Sequence, residues 1–242
     1  YVDDDKIDLT AMQEDLSSYK GKTSTSSPSP HEWENAFGDA DVVFCITITS
    51  TLSGTYNSAV IAKDIYEQNH AGRKVYVLDS LSTGPEIALF IEKIAELIKA
   101  GFAPDDIYKT LLEYKDKTHL YFSLASLNNF AKNGRISPVI AAGIGLLGVR
   151  VVGKASDEGT LLPLDKCRGE KRALKKLINH LKECGYTDGK IIIAHNNNEA
   201  GALELKKLIE NTFGIFNGKI QKTRALCSYY AEPGSLLIGF EA

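Results

Sequence analysis

A run of apolar residues, Val42–Ile48, empties into six hydroxyl-bearing side chains, Thr49, Ser50, Thr51, Ser53, Thr55 and Tyr56, with Gly54 among them. Ala59, Ala62 and Ile65 then recur at helical spacing. The pattern predicts a strand, a tight turn and a helix start. A helix start leaves unpaired backbone N–H groups facing whatever lies in front of it. One hydroxyl is enough to cap a helix. Two readings therefore stay open here: a cap alone, or a cap beside a site for a small anion such as a carboxylate or phosphate.

A second unit of the same kind follows. Lys74–Leu78 predicts a strand, Asp79-Ser80-Leu81-Ser82-Thr83-Gly84 a turn, and Ile87, Phe90, Ile91, Ile94, Ala95 and Ile98 a helix stopped by Gly101. Pro104–Lys115 predicts one more helix. Strands alternating with helices imply a parallel sheet covered on both faces. Ligands of such sheets bind at the carboxyl ends of the strands, where both hydroxyl-rich turns fall. Ahead of these units, residues 1–40 are polar. Thr23–Pro30 reads as a flexible, low-complexity loop, with a helix starting at Ser29 or Pro30 and running over His31–Ala36.

From about residue 116 the character changes. His119–Ala125 alternates as a strand, Leu127–Lys132 is a helical turn, and Asn133-Gly134-Arg135 breaks it. Ile136–Leu147, apolar and rich in small residues, predicts a helix. Arg150–Ala155 and Thr160–Leu164 flank Asp157-Glu158-Gly159, a hairpin signature. Lys171–Cys184 is an amphipathic helix ended by Gly185. Ile191–His195 reads as a strand, Asn198–Asn211 as a helix, and Ile220–Leu226 and Leu236–Phe240 as closing strands. The expectation is an α/β protein of two domains, 1–115 around a parallel sheet and 116–242 of mixed α+β type.

Several function classes drop out on composition. A net charge of −3 gives no basic footprint for nucleic acid. The longest apolar stretch, Val139–Val149, is too short to span a bilayer, so no stable membrane insertion is expected. Cys45, Cys167, Cys184 and Cys227 are widely separated, which argues against zinc or a disulfide framework and fits a cytoplasmic setting. No nucleotide-binding glycine motif is present, Asp3-Asp4-Asp5 reads as a solvated run, and neither cofactor nor metal is expected. A serine hydrolase using Ser53 lacks the Gly-x-Ser-x-Gly elbow, and of the histidines only His195, at a strand end, is a candidate base. Arg135 either pairs a carboxylate or caps neighbouring carbonyls. Arg168 and Arg172, with Lys171, Lys175 and Lys176, form a basic face that is either solvated or a docking surface for an acidic partner.

Read together, Lys22-Thr23-Ser24, Ser50-Thr51-Leu52-Ser53-Gly54-Thr55-Tyr56, Leu78-Asp79-Ser80, Asn133-Gly134-Arg135-Ile136-Ser137, Asp157-Glu158-Gly159 with Arg168-Gly169, and Glu232-Pro233-Gly234 resemble the DegV family. Its better-understood members are the fatty-acid-binding subunits of bacterial fatty acid kinase. The resemblance spans nearly the whole chain. It implies a two-domain DegV-like α/β fold with a lipid site between the domains, holding one long-chain fatty acid. It implies that Thr23, Ser24, Ser53, Gly54, Thr55, Arg135 and Tyr230 surround the carboxylate, and that Ile136, Ile140, Ile144 and Leu147 line the tail. It also implies a carrier rather than an enzyme. A separate ATP-dependent kinase subunit would phosphorylate the bound acid, docking at Arg168 and Arg172; a monomer is the default expectation.

Three departures accompany the resemblance. The family opens with a strand and an Asp-Ser turn, and this sequence starts after them, which implies a longer native protein. Tyr230 and Glu232 stand where the family has His and Gly, the second adding a negative charge near the anion site unless it points away. Val149-Arg150-Val151 stands where Lys-Pro is common.

Overall fold

The computed structural model describes residues 1–136 and 148–242. In chain order the helices are α1 (Leu9–Ser18), α2 (Pro30–Phe37), α3 (Thr55–Asn69), α4 (Pro85–Lys99), α5 (Pro104–Lys115), α6 (Asn128–Lys132), α7 (Glu170–Glu183), α8 (Glu199–Phe213) and α9 (Ala225–Ala231). The strands are β1 (Val42–Thr47), β2 (Lys74–Asp79), β3 (Thr118–Leu124), β4 (Val149–Ala155), β5 (Leu161–Arg168), β6 (Ile191–His195), β7 (Gly218–Lys222) and β8 (Leu236–Glu241).

β1 and β2 pair in parallel, from Val42 opposite Lys74 to Thr47 opposite Asp79, with α3 as the crossover. The remaining strands form one sheet in the order β5-β4-β3-β8-β6-β7, antiparallel except for the β6–β7 pair. This is the α/β, parallel-plus-mixed architecture that the strand patterns and the family resemblance imply. The parallel sheet of the first half is, however, only two strands wide among the described residues.

Alternation along β6 shows how the core is built. Ile191 and Ile193 face Leu174, Leu177 and Leu181 of α7 and Leu205 and Ile209 of α8. Ile192 points the other way, into a cluster with Leu89, Phe90, Ile94 and Leu97 of α4, Ile107 and Leu111 of α5, and Leu78 of β2. That second cluster joins the two sheets. Each such side chain contributes about 1.5–3 kcal/mol on burial, against about 1 kcal/mol net for a typical hydrogen bond. Apolar packing of α4 and α5 therefore does more than the polar turns to fix the spacing of the sheets.

Two sequence expectations are corrected. α1 lies in the stretch read as featureless polar chain. Asp8 caps it, accepting from Thr10 N and Ala11 N at 3.0 Å, and Met12 is its buried anchor. The strand expected over Ile220–Leu226 ends at Lys222, and Ala225 opens α9. The reason is a long-range cap: the Asp3 carboxylate accepts from Ala225 N at 3.1 Å and from Leu226 N at 2.9 Å. The helix expected from Ser29 or Pro30 is α2, and Ser29 and Glu32 form a capping box at its start. The helix expected over Ile136–Leu147 lies, beyond Ile136, outside the described residues.

Candidate functional site

The hydroxyl-rich turns after β1 and β2 are tied to each other before either meets anything else. Asp79 Oδ1 accepts from Ser50 N and from Leu81 N, both at 3.1 Å. Thr49 N donates to Ser82 O at 2.9 Å. Beneath them Glu86 is buried, accepting from Thr118 Oγ1 at 2.8 Å and from Ser82 Oγ. Burial pushes its carboxyl above the usual carboxylate range, against the pull of those two hydroxyls and of Lys115. The six-stranded sheet closes the other side. The β4–β5 hairpin tip accepts from Thr49 Oγ1 at Gly159 O (2.8 Å) and from Thr51 Oγ1 at Glu158 O (2.6 Å).

What this frame holds is the start of α3. Gly54 is the N-cap and has no side chain to cap with, and the first turn contains no acidic residue. Ser53 Oγ accepts from Thr55 N at 3.2 Å and shares a hydrogen bond with Thr55 Oγ1 at 2.7 Å. Ser27 Oγ lies 3.5 Å from where a Cβ on Gly54 would sit, so the Ser/Thr loop reaches this helix start. A helix N-terminus lined with hydroxyls, and with no side chain at its N-cap, offers positive partial charge and several donors to an anion.

Each expected site residue can now be placed. Ser53, Gly54 and Thr55 form the turn itself. Thr23 Oγ1 and Thr25 Oγ1 share hydrogen bonds with Tyr229 OH and Tyr230 OH, each at 2.8 Å, which fastens the loop to α9. Ser24 is exposed and joins no hydrogen bond among the described residues. Arg135 bonds neighbouring carbonyls: Nε donates to Leu52 O at 3.3 Å and Nη1 to Asn133 O at 2.5 Å. It thereby ties Asn133-Gly134-Arg135 to the residue before Ser53. Ile136 is half-buried and packs on the cluster of Leu120, Phe122, Leu124, Val151 and Leu237. Ile140, Ile144 and Leu147 lie outside the described residues. Arg168 and Arg172 are exposed at the end of β5 and the start of α7, and neither forms an ion pair among the described residues.

Two departures in the sequence are also resolved. Glu232 does point away, accepting from Ser126 Oγ at 2.8 Å and Asn129 N at 3.1 Å. Arg150 fastens the C-terminal turn, donating to Gly234 O at 2.6 Å and pairing with Glu170 at 3.0 Å. His195, the candidate base, is buried at the end of β6, where its Nδ1 accepts from Asn198 N at 3.3 Å. Burial lowers its pKa. Among the described residues no histidine or carboxylate hydrogen-bonds to Ser53 Oγ. Nor does any group of three or more His, Cys, Asp or Glu side chains there suit a metal, and no helix is long and apolar enough to cross a membrane. Sequence reasoning missed Tyr229. No local signal marks it, because its partners Thr23 and Asn133 come from two other parts of the chain.

Comparison with known proteins gives a concordant picture. A family model described as an uncharacterised protein of the DegV family matches residues 1–242. A DegV domain-containing protein of Streptococcus pneumoniae is 42% identical over 241 residues, covering 100% of this chain and 86% of that protein. The crystal structure of the Streptococcus pneumoniae fatty acid kinase B3 protein, loaded with linoleic acid, superposes with a TM-score of 0.97 at 41% identity, covering 100% of this chain and 86% of that one. A protein from Eubacterium eligens loaded with heptadecanoic acid gives 0.96 at 41% identity, covering 99% of this chain and 87% of that one.

Proposed function

The chain belongs to the DegV family, and from that premise we propose that it carries one long-chain fatty acid, held by its carboxylate at the hydroxyl-lined start of α3. The observation that carries this reading is the Gly54 N-cap, which brings no side chain, between the paired hydroxyls of Ser53 and Thr55. The fatty acids held by its relatives supply the class of anion. The carboxylate takes hydrogen bonds from Thr23, Ser53 and the first-turn N–H groups, with Tyr230 and Arg135 shaping the surround. The tail runs past Ile136 between the two-stranded and six-stranded sheets. Each buried methylene adds about 0.8 kcal/mol, so the tail supplies most of the affinity and the polar turn fixes orientation.

Such a carrier needs no base at Ser53. By likeness to the kinase-named relative, it presents the carboxylate to a separate ATP-dependent kinase subunit in the cytoplasm, and the exposed Arg168 and Arg172 are the docking face. Native mass spectrometry of the purified protein, followed by lipid analysis of what denaturation releases, tests the first claim. One fatty acid per chain is expected. Protein that is empty and takes up no added hexadecanoic acid overturns it. For the docking face, Arg168→Glu with Arg172→Glu is expected to leave fatty acid binding intact and lower acyl phosphate formation at least tenfold; unchanged turnover removes these arginines from the interface.

A further inference from the structure

Asn133 makes two hydrogen bonds through one nitrogen. Its Nδ2 donates to Asn129 O at 2.9 Å and to the phenol oxygen of Tyr229 at 2.9 Å. A backbone carbonyl only accepts, so the amide cannot be turned over, and both of its protons are committed. The Tyr229 oxygen is thus an acceptor toward Asn133. Its own proton has one hydroxyl neighbour among the described residues, Thr23 Oγ1 at 2.8 Å. Tyr229 is only 6% exposed, and a buried hydroxyl proton left without an acceptor is costly. Tyr229 therefore donates to Thr23. The Thr23 proton in turn has no acceptor among the described residues.

Three groups in series, Asn133, Tyr229 and Thr23, are thereby polarised in one direction, each donating to the next. The open end is a hydroxyl whose oxygen is already engaged and whose proton points onward. Such an end suits an anion. We infer that Tyr229 is a positioning residue for the ligand carboxylate: it fixes Thr23 as a hydrogen-bond donor. The inference rests on the fatty-acid reading and adds to it the reason that Thr23 donates rather than accepts. Tyr229 is itself pinned, because Asn129 Nδ2 donates to its carbonyl oxygen at 2.8 Å while Glu232 accepts from Asn129 N at 3.1 Å. Glu232 supports the base of this relay from the far side. Thr25 and Tyr230 share a similar contact, but no second donor among the described residues sets its direction.

The test titrates hexadecanoic acid and its methyl ester, which keeps the tail and loses the charge, into four proteins: unmodified, Tyr229→Phe, Thr23→Val and the double variant. Tyr229→Phe and Thr23→Val are each expected to weaken hexadecanoate binding about tenfold, as for one charge-assisted hydrogen bond. The double variant is expected to be no weaker than Thr23→Val alone, since both changes remove one interaction. Methyl ester binding should shift by about threefold at most, a neutral acceptor gaining less from the relay. Equal losses for acid and ester mean that the phenol only shapes the loop, which overturns the inference. So does a double variant whose losses multiply. Thr23 lies on a part-exposed loop, so if Tyr229→Phe unfolds, unchanged hexadecanoate binding by Thr23→Val overturns it alone. Unmodified protein that binds neither ligand overturns the fatty-acid reading and this inference together.

Discussion

Gly54→Asp is expected to make the protein slightly more stable and nearly unable to bind fatty acid. The backbone at Gly54 has φ −73° and ψ 0°, which any residue adopts. A Cβ there meets only Ser27 Oγ, at 3.5 Å, an ordinary contact. A carboxylate beside a helix N-terminus interacts favourably with the macrodipole, and α3 has no acidic residue in its first turn. That interaction is worth a few tenths to about 1 kcal/mol. The same carboxylate places a like charge beside that of the ligand. Two unit charges about 4 Å apart at an effective dielectric near 20 repel by about 4 kcal/mol. Affinity for hexadecanoate should therefore fall at least about a hundredfold while the melting temperature holds or rises. Gly54→Ala, which adds no charge and no cap, should bind within about threefold of the unmodified protein. A Gly54→Asp protein that binds normally removes the carboxylate from the start of α3.

That helix start was legible in the sequence because its signals are local. The switch from an apolar strand to a hydroxyl cluster to helical spacing spans only Val42–Ile65, and the structure reproduces it with β1, the turn and α3. The hairpin at Asp157-Glu158-Gly159 was equally readable, since turn chemistry is set by the turn residues themselves. What could not be read are features made by partners far apart in the chain. α9 exists where a strand was expected because Asp3 caps it across more than two hundred residues of sequence. The orientation of Glu232 depended on Ser126 and Asn129, and no local pattern reports that. Arg135 offered two readings of equal chemical merit, and its contact with Leu52 O, from a distant part of the chain, could not be read from the residues beside it. Tyr229 was invisible for the same reason: its role lies in Thr23 and Asn133, from two other parts of the chain.

The contact where the hairpin tip meets the hydroxyl turn also resists substitution. Gly159 has φ +77°, in the left-handed region that favours glycine. A Cβ there would lie 2.1 Å from Thr49 Oγ1 and 3.1 Å from both the Cα and the carbonyl oxygen of Leu81. Leu81 cannot easily retreat, because it already holds φ +53° and its N–H is bonded to Asp79. Gly159→Ala must therefore displace the Thr49 side chain and break its bond to Gly159 O. The backbone penalty is roughly 1–2 kcal/mol, and the lost buried hydrogen bonds add about 1 kcal/mol each, for a total near 2–4 kcal/mol. In a chain of this length that lowers the melting temperature by roughly 5–15 °C. Gly72→Ala serves as the reference, since Gly72 has φ +88° and nothing within 4 Å, so it carries the backbone penalty alone. The two variants are expected to differ by at least about 1 kcal/mol, and equal losses would mean that the tip contact contributes nothing. Thr49 and Thr51 lead directly into Ser53, so displacing the tip also disturbs the carboxylate site. Saturating hexadecanoate should then raise the melting temperature of Gly159→Ala less than that of Gly72→Ala, because ligand stabilisation follows the affinity that remains.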